Sequence, residues 1–252
     1  MIEIKHVDFE IEGRKILQDI NFTIEDSATY TLLGPSGCGK STILRNIVGL
    51  SHSTRGEILF DGIDITKADK KQVNEIRSKC GFLFQQSALF DSMNIEDNLK
   101  FPILQSPKRY SESEMDKMVN EKLEMVDMPG VNKLFPSELS GGMKKRAALA
   151  RSIILEPKYI FYDEPTTGLD PIMSQVIGDL IKSLSNRLKI TSIVVTHDMK
   201  LAFFVATKIG LMHDGKLVVE GNSEFFKTSP DPLIRQFVEG NSEGPIKLKS
   251  MG

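Results

Sequence analysis

The chain has 252 residues, 40% hydrophobic and 26% charged, which suits one large domain or a domain carrying an inserted lobe. Its 32 Lys and Arg against 34 Asp and Glu leave no global field to attract nucleic acid or an anionic membrane surface. Cys38 and Cys80 have no metal-ligand spacing and make no disulfide framework, so a reducing compartment is the simpler expectation.

Ile2–Phe9 alternates apolar and charged residues and predicts a strand. It lacks the basic start and apolar run of a signal peptide. Further strands are expected at Ala28–Leu33, Gly56–Phe60, Gly81–Phe84, Tyr159–Tyr162, Thr191–Val195 and Ile209–His213. Helical periodicity covers Lys40–Gly49, Ser111–Val126, Gly141–Leu155, Pro171–Leu188 and Met199–Ala206. Ser111, with Glu114 three residues on, has the pattern of a capping box. This alternation argues for an α/β core with parallel strands. Between Phe84 and Ile160 the strand signal vanishes, and residues 86–155 read as an inserted helical lobe. The chain closes on a Pro- and Gly-bearing stretch around one amphipathic segment, Leu233–Val238. The apolar run Leu201–Met212 contains Lys208 and falls well short of the roughly twenty residues that span a bilayer, so other chains would supply any membrane-crossing part.

Gly34-Pro35-Ser36-Gly37-Cys38-Gly39-Lys40-Ser41 matches the phosphate-loop pattern, with an apolar strand entering and a helix leaving it. Glycines let successive N–H groups turn inward toward phosphate oxygens, and the opening helix adds its positive end. Lys40 is expected to reach the β- and γ-phosphates and Ser41 to coordinate Mg²⁺, with Thr42 continuing the contact set. Downstream, Tyr159-Ile-Phe-Tyr162 runs into Asp163 and Glu164. In nucleotide hydrolases a carboxylate at such a strand end holds Mg²⁺ and the next one can take a proton from attacking water, so beside the phosphate loop Asp163 is assigned to Mg²⁺ and Glu164 to the general base.

Leu139-Ser140-Gly141-Gly142-Met143, about twenty residues before that acidic pair, resembles the signature motif of ABC ATPases. Met143 stands where the family usually has Gln. The resemblance spans most of the chain and implies a phosphate-loop, RecA-like ATPase core with an ABC-type β subdomain and an inserted helical subdomain. On that reading residues 1–85 and 156–225 form the core, 86–155 the helical part and 226–252 an extension. It further implies that Ser140, Gly141 and Gly142 meet the γ-phosphate held by a second copy, in a head-to-tail homodimer enclosing two ATP molecules. Gln85 matches the family's metal- and water-sensing glutamine, chosen over Gln86. Asp170, in Gly168-Leu169-Asp170, matches the aspartate that organises the facing site, and His197 the switch histidine on the γ-phosphate. An early aromatic usually stacks on adenine; here Ile11 stands in that place, and Phe9 either stacks or is buried in the core.

Within the family the chain is similar to the ATPases of Mce-type (Mla) phospholipid transporters. The similarity rests on Phe84-Gln85, Ser87-Ala-Leu-Phe90, Pro136 through Met143, Arg146 through Arg151, and Pro230-Asp-Pro232 with Arg235-Gln-Phe237. It implies integral-membrane permease subunits, a lipid-binding Mce-type subunit, a peripheral place on the cytoplasmic face of the inner membrane, and no direct contact with lipid or nucleic acid. Residues after about 230 either brace the partner copy or lie as a surface tail. Lys144, Lys145 and Arg146 with Arg151 read as a solvated helix face. An uptake system for amino acids or ions, and a non-transport division or assembly module, share the same motifs.

Overall fold

The computed structural model describes residues 1–246, so the end of the expected 226–252 extension lies outside the described residues. In chain order the elements are β1 (Ile2–Ile11), β2 (Arg14–Ile24), β3 (Thr29–Leu33), α1 (Lys40–Ile47), β4 (Arg55–Phe60), β5 (Ile63–Asp64), α2 (Lys70–Ser78) and β6 (Cys80–Leu83). Then come α3 (Ile95–Gln105), α4 (Glu112–Met125), α5 (Gly141–Ser152), β7 (Tyr159–Asp163), α6 (Pro171–Leu188) and β8 (Thr191–Val195). The last are α7 (Met199–Val205), β9 (Lys208–His213), β10 (Lys216–Gly221), α8 (Ser223–Thr228) and α9 (Pro232–Glu239).

Two sheets organise these elements. The six-stranded sheet runs β10-β9-β3-β8-β7-β6, with β9, β3, β8, β7 and β6 parallel and β10 antiparallel at the edge. The other is antiparallel, in the order β2-β1-β4-β5. Strands β3 and β8 are buried along their whole length, because helices or the second sheet cover both faces of the parallel sheet. That is why they read as unbroken apolar runs. Along β7 the side chains divide by the two-residue period: Ile160 and Tyr162 join the core of the helical lobe, Tyr159 and Phe161 the core beneath the antiparallel sheet. One sheet thus carries two cores.

Helices α3, α4 and α5 lie between β6 and β7 in sequence. Ile95, Leu99 and Ile103 of α3 and Met115, Val119 and Leu123 of α4 share one buried cluster with Ala147–Ala150 of α5. Ser111 accepts from the Glu114 amide and Glu114 reaches back to Ser111, which completes the expected capping box. We propose to treat residues 86–155 as a helical subdomain.

The solvated-face expectation for the basic cluster fails. Helix α5 packs against β6, α3, α4 and α6, so little of its circumference meets water. Lys145 is 4% exposed, the Arg146 guanidinium bonds to the Asp127 carbonyl at 3.0 Å, and Arg151 donates to the Ser87 carbonyl at 3.1 Å.

Gly81 sits where β6 passes the end of α5: a Cβ there would lie 2.2 Å from the Ser152 carbonyl oxygen and 3.1 Å from Pro157 Cγ. Backbone must move to admit a methyl. Gly81→Ala is expected to cost about 1–3 kcal/mol. At about 2–4 °C per kcal/mol for a chain of this size, the fall is read from a thermal melt. An unchanged melting temperature would contradict this packing.

Candidate functional site

Strand β3, buried throughout, delivers the chain to the loop 34–39 at the carboxyl edge of the parallel sheet. Two of its glycines have no substitute. A Cβ on Gly34, at φ 153°, would lie 2.3 Å from the Met212 carbonyl oxygen; one on Gly39, at φ 107°, would lie 2.8 Å from Leu17 Cδ2. Gly39 precedes α1 in a left-handed conformation and supplies no side-chain cap. The first amides of α1 therefore remain available to an anion. Lys40 is buried, and its ammonium donates to the carbonyls of Gly34 at 2.8 Å and Pro35 at 3.0 Å. Cys38 is tucked under the loop, where burial pushes its thiol pKa up.

The neighbouring strand ends bring the acidic pair alongside. The Ser41 hydroxyl donates to Asp163 Oδ1 at 2.8 Å, joining the start of α1 to the end of β7. Glu164 follows with φ 50°, unusual for a residue with a side chain, and its amide donates to the Val195 carbonyl at 2.9 Å. Its carboxylate is 12% exposed and lies 2.8 Å from His197 Nδ1, while the Thr167 hydroxyl donates to it at 3.2 Å. His197, just past β8, is itself largely open to solvent.

One cleft collects Ser36, Gly37, Gly39, Lys40, Ser41 and Thr42 on its loop side, with Gln85, Glu164 and His197 across from them. Asp163 stands behind Ser41, and Gly34, Pro35 and Cys38 shape the loop from beneath. Ser41 and Asp163 offer hard oxygen donors beside the anion loop, a set that suits Mg²⁺.

Ser140, Gly141, Gly142 and Asp170 do not line this cleft. Ser140 caps α5 through the Met143 amide at 3.3 Å, and both Ser140 and Gly141 face solvent. Asp170 caps α6 through the amides of Ile172 and Met173 at 2.9 and 3.0 Å. The two caps are neighbours: a Cβ on Gly142 would lie 2.4 Å from Met173 Cε.

Three residues at the site escaped sequence reading. Ile16 and Thr167 line the cleft, and Lys145 of α5 donates to the Gln85 carbonyl and reaches the Glu164 carbonyl at 3.5 Å. Thr167 stands in the Glu164-Pro-Thr-Thr run; Ile16 lies on β2, whose signal is the alternation in RKILQDINFTI. Phe9 packs against the core beneath the antiparallel sheet, and Ile11 is 52% exposed.

A family model described as "ABC transporter" matches residues 17–167. An intermembrane phospholipid transport system ATP-binding protein, MlaF, of Haemophilus influenzae is 42% identical over 99% of this chain and 94% of its own. The Escherichia coli K12 protein of the same name is 39% identical over 99% and 92%. A Mycobacterium leprae protein named as a probable ribonucleotide transport ATP-binding protein, mkl, is 41% identical over 98% and 71%. Among solved structures, the ATP-binding cassette MJ0796, dimeric and bound to ADP and phosphate, superposes with a TM-score of 0.81 at 32% identity, covering 88% of this chain and 99% of that one.

Proposed function

This chain belongs to the ABC transporter family and is an ATPase subunit of that kind; we propose that it powers phospholipid transport between an inner and an outer membrane. The observation that carries the ATPase reading is the cleft itself, where loop 34–39, Ser41 with Asp163, and Glu164 with His197 meet around one space. Near full-length similarity to proteins named for intermembrane phospholipid transport supports the cargo. The mycobacterial relatives named for ribonucleotide transport mark a second reading, but the chain spans only 71% of the first of them.

In the proposed mechanism the triphosphate lies on the loop amides and the start of α1. The Lys40 ammonium, now held by two carbonyls, turns to the phosphates. Ser41, Asp163 and Gln85 would hold Mg²⁺, which supplies charge neutralisation for the phosphates. Glu164 orients the attacking water and takes its proton, with the Thr167 hydroxyl holding its carboxylate. His197 is exposed enough to swing from Glu164 to the γ-phosphate.

Ser140, Gly141 and Gly142 act on the nucleotide of a second copy in a homodimer, and Asp170 braces the same junction. Ser140, Gly141 and Asp170 face solvent outside their own chain's cleft, with Gly142 packed between the two caps against Met173, and this supports the reading. The dimeric state of the MJ0796 cassette supports it as well. No helix among the described residues is long and apolar enough to cross a membrane, so permease chains and a lipid-binding Mce-type subunit are the proposed partners, with this chain on the cytoplasmic face of the inner membrane.

Glu164→Gln is expected to retain ATP binding while turnover falls by at least about a hundredfold, measured as phosphate release. Near-normal turnover would refute the base. Copurification of the tagged chain from membranes tests the cargo: lipid-transport subunits are expected, and partners of a nucleotide or amino-acid uptake system would overturn it.

A further inference from the structure

Lys145 is a buried cation that the hydrolytic scheme above leaves unused. It lies on α5, one turn beyond the Ser140–Gly142 tip and on the same helix face as Gly141. Its ammonium ends on main-chain oxygens: the Gln85 carbonyl in the turn after β6, and the Glu164 carbonyl just past β7 at 3.5 Å. Burial pushes the Lys145 pKa down, and the negative charges of Asp163 and Glu164 oppose that shift.

Burying an ammonium is costly, and main-chain carbonyls return less than a carboxylate pair would. Methionine would fill similar space without that cost, so packing alone does not explain a cation here. What the ammonium does is join three pieces of chain. One is the helix whose tip faces outward; the other two carry the cleft's glutamine and its candidate base. Both carbonyls belong to residues that line the cleft, so the contact fixes the backbone that carries them.

We propose that Lys145 is a positioning residue for hydrolysis, a tie that sets Gln85 and Glu164 in register with the outward-facing tip of α5. The inference rests on the reading of Glu164 as base and Gln85 as metal and water ligand. A displacement of α5 on meeting a second copy would pull directly on both residues. Rigid attachment across a single buried contact is the physical requirement for such transmission.

The test compares Lys145→Met and Lys145→Arg with the wild type and Glu164→Gln in ATP hydrolysis, with melting temperature followed alongside. Lys145→Met is expected to lower kcat at least about tenfold while the KM for ATP stays within about threefold. Lys145→Arg, which restores a donor cation, should recover kcat to within about threefold of wild type. Wild-type kcat in Lys145→Met would overturn the proposal. So would a loss that tracks the melting temperature and that arginine fails to repair. Should the methionine variant not fold, Lys145→Gln, whose shorter, uncharged amide cannot span both carbonyls, is expected to lower kcat likewise, and wild-type kcat there would overturn the proposal. If instead Glu164→Gln hydrolyses ATP normally, the reading of the cleft falls, and that outcome is separate from any result at Lys145.

Discussion

A buried ammonium held by the carbonyls of its own loop is the contact on which this molecule's arrangement depends. Lys40 lies beneath Gly34 and Pro35, bonded to both. A cation is tolerated there because the two carbonyls accept hydrogen bonds from it. These two bonds hold the loop to its concave shape, and under the proposed function a phosphate would offer the same ammonium a charged acceptor. Gly34 and Gly39 make this possible, since a side chain at either would strike Met212 or Leu17.

The parallel sheet places everything else around that cation. Strands β3, β8 and β7 are adjacent and end at one edge, so the loop after β3, the carboxylates at the end of β7 and the histidine after β8 converge without any long-range adjustment. The polar groups are paired with one another: Ser41 with Asp163, His197 with Glu164. Each pairing can be exchanged for a contact to substrate or metal, which makes the cleft both ordered and convertible. Helix α5 adds the outward-facing Ser140 and Gly141, and Lys145 anchors that helix to the same edge.

Much of this was readable from the residues because the chemistry is local. A phosphate loop is eight consecutive residues, an acidic pair is two, and buried parallel strands show as apolar runs such as TSIVV. What escaped reading depends on partners distant in sequence. Strand β2 carries the alternation of a half-buried strand, but its length and partner are set by pairing with β1, which sequence does not show. Helix α3 carries Pro102 in its interior, which argues locally against a helix; Asn94 caps it and Ile95, Leu99 and Ile103 hold it to the lobe's core. Lys145 and Arg151 looked like solvent-facing charges because sequence shows neither the helices packed around α5 nor the carbonyls waiting for them. Ile16 was invisible for a similar reason, since a hairpin 18 residues upstream of Gly34 folds over the cleft only in three dimensions.

The grip on one triphosphate from two copies is tested most directly by the structure of the Glu164→Gln protein, loaded with ATP and Mg²⁺ and bound to its membrane chains. The expected result is nucleotide on the Lys40 loop of each copy, with Ser140 of the partner subunit within hydrogen-bonding reach of the γ-phosphate. Nucleotide on the loop with every Ser140–Gly142 tip still facing solvent would contradict it.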